Sequence, residues 1–132
     1  MTKEHDNVCV QDFGIDNVTA ADGLAVGRTS GFVGKTLEKL MSGCYSVTDE
    51  NMYRLLATMA DSENIFLEPS ALAGVCGIVN ILTSKEGKKY LRDNNLEDKV
   101  KNINHIAWAT GGSMVPKNIM DEYYNKGVSL LK

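Results

Sequence analysis

At 132 residues, with 43% hydrophobic and 23% charged side chains, the chain has the make-up of a soluble globular protein and the length of one domain. Its net charge of −3 is mild and no basic face stands out, which argues against nucleic acid or an anionic membrane as partner. The opening MTKEHDNV lacks the apolar core of a signal peptide. The longest apolar run, Ala71 to Leu82, is too short to span a bilayer and is interrupted by Gly74, Gly77 and Asn80.

In chain order, DFGIDNVTAADGLAVG comes first, and its Gly14, Asp16, Asn17, Asp22 and Gly23 suit loops and turns. From Ser30 the pattern turns helical: Val33, Leu37, Leu40 and Met41 share a face, with Gly43 past the end. Gly27, Gly31 and Gly34 would give this helix a small-residue edge for tight packing. Thr48 is placed to cap the next helix. Asp49 and Glu50 fall in its first turn, and Met52, Leu55, Leu56 and Met59 form its apolar stripe.

A short extended piece, Ile65 to Leu67, leads into EPSALAGVCGIVNIL. There Pro69 suits a first helical turn, and the near-absence of charge predicts a helix buried on most sides. SKEGKKYLRDNNLEDKVKN, of mixed and balanced charge, predicts a short solvated helix and a loop. A buried strand is predicted at Ile106–Ala109. Pro116 can then open a last helix with Ile119, Met120 and Tyr123 facing inward.

Helices on both sides of one strand point to an α/β layer. One strand and two short candidates are few for a parallel sheet, whose strands need neighbours for their backbone groups. The shortage predicts that the chain is one part of a larger fold.

Metal and redox chemistry find little support. Cys9, Cys44 and Cys76 are dispersed and odd in number, and with two histidines they offer neither zinc spacing nor a disulfide framework. Reduced cysteines in a cytoplasmic protein are expected. GFVGKT, Gly31 to Thr36, resembles a phosphate loop only in part. The position that needs the first glycine is Thr29, and no strand precedes it, so helix packing is the better account.

Three other stretches invite a ligand. TAADGLAVG carries Asp22–Gly23 in a small-residue setting, which also suits a simple turn. EPSALAG sets Glu68 just before the first turn of an apolar helix, as any acidic helix start would. WATGGSM places a hydroxyl, Thr110, at the carboxyl end of the predicted strand with Gly111 and Gly112 after it. Ligands bind at such ends of open α/β sheets, although a threonine there can equally cap a turn.

Taken together and in this order, Thr19–Ala21–Asp22–Gly23, Glu68–Pro69 and Thr110–Gly111–Gly112 resemble the fold-type II pyridoxal-phosphate enzymes, which include serine and threonine dehydratases. Across Val8 to Gly127 the likeness is to the C-terminal part of the bacterial D-serine dehydratases, or D-serine ammonia-lyases. The resemblance implies a fold of the α/β, tryptophan synthase beta-like type, helix-rich and with few strands in this segment. It implies pyridoxal 5'-phosphate as cofactor and β-elimination of D-serine to pyruvate and ammonia. Thr110 would meet the pyridine nitrogen, Gly111 and Gly112 would let backbone lie close to the ring, and Asp22 and Gly23 would line the cofactor cleft, Gly23 through its backbone. Glu68 would lie nearby.

The family's Schiff-base lysine and Gly-rich phosphate loop belong to an N-terminal part that matches nothing here, and Ser113 stands where close relatives carry a third glycine. Residues 1–132 are therefore read as a single C-terminal segment, a truncated or split product. The segment holds no catalytic residue and no metal site and is inactive alone. Its expected partner is the N-terminal part, if separately encoded. The rival expectation is a non-enzymatic module that self-associates through the apolar face of the helix around Ala71–Leu82.

Overall fold

The computed structural model describes residues 8–132, and the reading of the opening MTKEHDN as a polar lead-in lies outside them. The chain separates into two compact units, Met1–Ser46 and Val47–Lys132.

The described part of the first unit is built from turns. Two short 3-10 helices, Val10–Phe13 and Asp22–Leu24, precede α1, Gly31–Leu37. An isolated antiparallel bridge joins Cys9 to Arg28, reinforced by the Val10 amide donating to the Gly27 carbonyl at 2.9 Å. Ala21 is fully buried, and its amide donates to Thr19 Oγ1 at 3.0 Å.

The predicted helix from Ser30 to Met41 is shorter than expected, and its apolar face is not covered. Val33, Leu37, Leu40 and Met41 are all exposed, because no apolar partner faces them among the described residues of the unit. The small-residue edge is corrected as well, since a Cβ on Gly31 or Gly34 would meet nothing within 4 Å. GFVGKT forms α1 itself, so its amides serve the helix and make no phosphate cradle.

The second unit is four α-helices around a small core: α2 (Asp49–Glu63), α3 (Pro69–Thr83), α4 (Lys85–Asp93) and α5 (Lys117–Leu130). Thr48 caps α2 as expected, its Oγ1 accepting from the Asn51 amide at 3.3 Å. Asn64, in left-handed backbone, ends the helix. The predicted stripe does face inward. Leu56 joins Leu72 of α3 and Met120 of α5 at the centre, with Leu55, Met59, Val75, Val115, Tyr123 and Tyr124 packed around them.

The closest contact between α2 and α5 is at Gly127, whose missing side chain leaves room for the Tyr53 carbonyl and the Ala57 methyl. Tyr53 and Tyr123 pack with centroids 5.8 Å apart, and Lys126 Nζ lies 4.2 Å from the centre of the Tyr53 ring. Tyr124 donates to Asp61 Oδ1 at 2.7 Å, and Arg54 Nε donates to the Leu130 carbonyl at 3.0 Å, tying off the end of α5. Ser84 caps α4 and the 3-10 helix Glu97–Asn102 follows, in line with the predicted short helix and loop.

Two expectations are corrected. Helix α3 is buried only over its first turn, Pro69 to Leu72, and Val79 further along is exposed; the expected burial on most sides is absent because this unit has no layer to provide it. The buried strand at Ile106–Ala109 is not seen. The segment is irregular and unpaired, with Ile106 90% and Trp108 81% exposed, for the same lack of a neighbour. Among the described residues there is no sheet, and the chain is helix-rich.

Candidate functional site

The second unit brings two of the three singled-out stretches together. After α2 ends at Asn64 the chain runs without helix from residue 65 to Glu68, where Pro69, with φ preset, starts α3. This run lies against the turn at Gly111–Gly112, far along the sequence. The Glu68 amide donates to the Gly111 carbonyl at 3.3 Å. A Cβ on Gly111 would stand 2.6 Å from Glu68 Oε1, so the carboxylate occupies the space a side chain would need. At Gly112, φ is +147°, and a Cβ there would meet the Phe66 carbonyl oxygen at 2.6 Å and Leu67 Cα at 2.8 Å. Backbone on every side and a positive φ require glycine at 112, whereas at 111 a side chain would have to displace the Glu68 carboxylate.

The carboxylate of Glu68 sits at the amino end of α3, where the helix dipole favours negative charge, yet it caps no helical amide. Ser70, in the first turn, is buried, and its hydroxyl has no hydrogen-bond partner among the described residues. Sequence reasoning did not single out Ser70. The small-residue run after Pro69 gave no sign that one hydroxyl would be left unsatisfied.

Thr110 stands at the entry to the turn, exposed and without a hydrogen bond of its own among the described residues. Its hydroxyl can therefore accept or donate to an incoming group. Gly112 then passes its carbonyl to the Val115 amide at 3.1 Å, closing the turn that leads to Pro116 and α5. The result is an open hydroxyl next to one two-glycine stretch, against which the Glu68 carboxylate and the backbone of residues 66–68 pack. No group of three or more metal-ligating side chains occurs among the described residues.

In the first unit, Asp22 and Gly23 are exposed, and Asp22 Oδ1 accepts from the Gly23 amide at 2.7 Å. Both residues lie in the short 3-10 helix Asp22–Leu24. The thiol of Cys76 on α3 is pushed upward in pKa by burial and has no disulfide partner among the described residues.

No family model matches the chain. Curated proteins do. The chain is 61% identical over 130 residues to a protein of Bacillus cereus (strain B4264) named probable D-serine dehydratase, covering 98% of this chain and 29% of that protein. It is homologous to part of a D-serine dehydratase. Proteins of the same name from Geobacillus kaustophilus (strain HTA426) and Geobacillus stearothermophilus are 57% and 58% identical over the same length. In every case the chain spans less than a third of the D-serine dehydratase it matches. The described residues contain no helix long and apolar enough to cross a membrane.

Proposed function

We propose that this chain is the C-terminal portion of a D-serine dehydratase of fold-type II and contributes one wall of its pyridoxal-phosphate site. The observation that carries the reading is the meeting of Glu68–Pro69 with Gly111–Gly112, set beside the 61% identity over nearly the whole chain.

Thr110 could meet the nitrogen of an aromatic heterocycle: it offers a neutral hydroxyl with no competing partner among the described residues, beside a turn whose two glycine side-chain positions are already taken by Glu68 and by backbone of residues 66–68. Pyridoxal phosphate, when bound, supplies an electron sink for the bond that breaks at the α-carbon of an amino acid. Thr110 would hold the ring nitrogen by a hydrogen bond and leave it neutral, since a hydroxyl cannot keep a proton there as a carboxylate would. Glu68, wedged against Gly111, would fix the position of the Thr110–Gly111 peptide.

A lysine to carry the cofactor and a loop to anchor its phosphate are absent from the motifs of this sequence, so the chain alone does not turn over D-serine. The test is pyruvate release from D-serine with added cofactor, by the chain alone and by the chain co-expressed with the remaining portion of the Bacillus cereus relative. Activity is expected only in the second case, and Thr110→Ala should lower it at least about tenfold, the loss of one hydrogen bond to a reacting system. Turnover by the chain alone would overturn the claim of inactivity. An unaffected Thr110→Ala enzyme would remove Thr110 from the site.

A second reading, self-association without catalysis, is favoured by the exposed Val79 on α3. Sedimentation at several concentrations separates it, since a monomer throughout would count against it.

A further inference from the structure

Two features at the amino end of α3 suit each other and are not joined. The Glu68 carboxylate is half-buried at the helix N-cap, yet it makes no hydrogen bond and no ion pair among the described residues. Ser70, two residues on, keeps both of its donors idle. The residue is only 8% exposed and its hydroxyl has no partner among the described residues. Its amide, in the first turn where no helical carbonyl can serve it, makes no backbone hydrogen bond there either. Pro69 has no amide to offer, and the Ala71 amide already donates to the Glu68 carbonyl at 3.0 Å. An acceptor without a donor and two donors without an acceptor are thus separated by a single proline.

What keeps them apart is the place the carboxylate has taken. A Cβ on Gly111 would meet Glu68 Oε1 at 2.6 Å, Cδ at 3.1 Å and Oε2 at 3.7 Å, so the whole carboxyl group covers that glycine. A second seat stands ready at the head of α3. A side-chain oxygen at an N-cap reaches the second amide of its helix, which here is Ser70, and the dipole of this fifteen-residue helix favours negative charge there. A bond from a buried hydroxyl to a carboxylate is charge-assisted and among the stronger ones. The Glu68 amide meanwhile holds the Gly111 carbonyl at 3.3 Å, so the side chain can swing while the backbone stays.

We infer that Glu68 is a two-position cover for Gly111: a group that comes to lie over this glycine drives the carboxylate onto the hydroxyl and amide of Ser70, which hold it there. The two seats exclude each other, so Ser70 is satisfied only when Gly111 is uncovered. The identity of the arriving group rests on the functional reading above, in which it is the pyridoxal-phosphate ring beside Thr110. Ser70 is then a positioning residue that acts through Glu68.

In the isolated chain Gly111→Ala stands in for the arriving group, because its Cβ claims the same space. Alone, Ser70→Ala should lower the unfolding constant in urea by up to about fivefold, since it removes a hydroxyl without a partner. In Gly111→Ala, where Glu68 occupies the seat on Ser70, the same substitution should raise that constant about tenfold. The inversion of sign should vanish when Glu68→Ala is added. Glu68→Asp supplies an independent route, which also serves if Gly111→Ala does not fold. The shorter carboxylate is a favoured N-cap and should keep the seat on α3 throughout, so Ser70→Ala should be harmful in that background without any change at Gly111.

The cofactor is tested with the chain co-expressed with the remaining portion of the Bacillus cereus relative, binding of pyridoxal phosphate being followed by its absorbance. Ser70→Ala should raise its Kd about tenfold, because the displaced carboxylate loses its seat, whereas Ser70→Thr, which keeps the hydroxyl, should restore much of the affinity. An effect of Ser70→Ala on unfolding that keeps its sign in Gly111→Ala and in Glu68→Asp would overturn the inference. So would an inversion that survives Glu68→Ala, or a cofactor affinity indifferent to Ser70→Ala. Failure of the complex to bind the cofactor at all, with the inversion intact in the isolated chain, would sink the functional reading and spare the two-position carboxylate.

Discussion

The two glycines at the turn should respond differently to the same methyl group, and the difference tests the geometry of the site. At Gly112 an alanine must adopt φ +147° and push its Cβ to 2.6 Å from the Phe66 carbonyl and 2.8 Å from Leu67 Cα, all of it backbone. Strained backbone costs about 1–3 kcal/mol and overpacking against atoms that cannot swing aside about 1–3 more, so Gly112→Ala should destabilise the second unit by about 2–6 kcal/mol. At Gly111 the clash, also 2.6 Å, is with Glu68 Oε1, the far end of a side chain that can rotate away. There the cost should be nearer about 1 kcal/mol. The assay is urea denaturation followed by far-ultraviolet circular dichroism, which reads the helices of this unit.

A double-mutant cycle sharpens the contrast. In a Glu68→Ala background the penalty of Gly111→Ala should shrink by about 0.5 kcal/mol or more, because its obstacle is gone, whereas that of Gly112→Ala should not change. Equal costs at the two positions, or a Gly112→Ala penalty relieved by Glu68→Ala, would refute the arrangement of residues 65–68 against residues 111–112.

Other outcomes follow from the same contacts. Ser70→Ala should leave the isolated chain as stable or stabilise it by about 1 kcal/mol, because it removes a buried hydroxyl that has no partner; a loss in denaturation would mean that Ser70 Oγ is satisfied after all. Leu56→Ala, at the centre of the core, should cost about 2–5 kcal/mol in the same experiment. The Tyr124 hydroxyl is held above the ordinary tyrosine range by its hydrogen bond to Asp61, with desolvation and the negative charge of Asp61 adding to it. A raised folded-state pKa means that this stabilisation is complete below the unfolded tyrosine pKa of about 10 and is lost as pH rises through the higher folded value. Ultraviolet titration should therefore lose one late-ionising phenol in Asp61→Asn and keep that of Tyr53, which burial and then the charge of Asp49 hold up. Cys44 is exposed while burial pushes the Cys76 thiol upward, so a thiol reagent should label Cys44 well before Cys76, and mass mapping of early product would show it.

What could be read ahead of the structure was whatever local chemistry decides. Thr48 with Asp49 and Glu50 marks a helix start because the cap and the charges act within one turn, and Pro69 sets its own φ. The stripe of Leu55, Leu56 and Met59 found its core because α5 lies within the same unit to receive it. The Gly111–Glu68 contact was not legible, since nothing local announces which carboxylate will fill the space above a glycine. The failures share another cause. Leu37, Leu40, Val79, Ile106 and Trp108 have the apolar character of buried residues, but burial is a property of two surfaces, and among the described residues no second surface covers them.

That shared cause bears on the strength of the functional proposal. A sequence that evolved to stand as this helical unit alone would gain nothing from a run of consecutive apolar residues, Ile106 to Ala109, across an unpaired segment, and it would expose them to aggregation. Ile106, Trp108 and Met114 are each at least four-fifths exposed, and they bracket Thr110 and the two glycines. A partner covering Trp108, two residues from Thr110, would also exclude water near the hydroxyl, and that would strengthen a single hydrogen bond from Thr110, which in solvent contributes little. A variant such as Trp108→Asp, which keeps the surface wet, should weaken assembly and, in whatever complex still forms, depress pyruvate formation even though it touches none of the residues assigned to the cofactor.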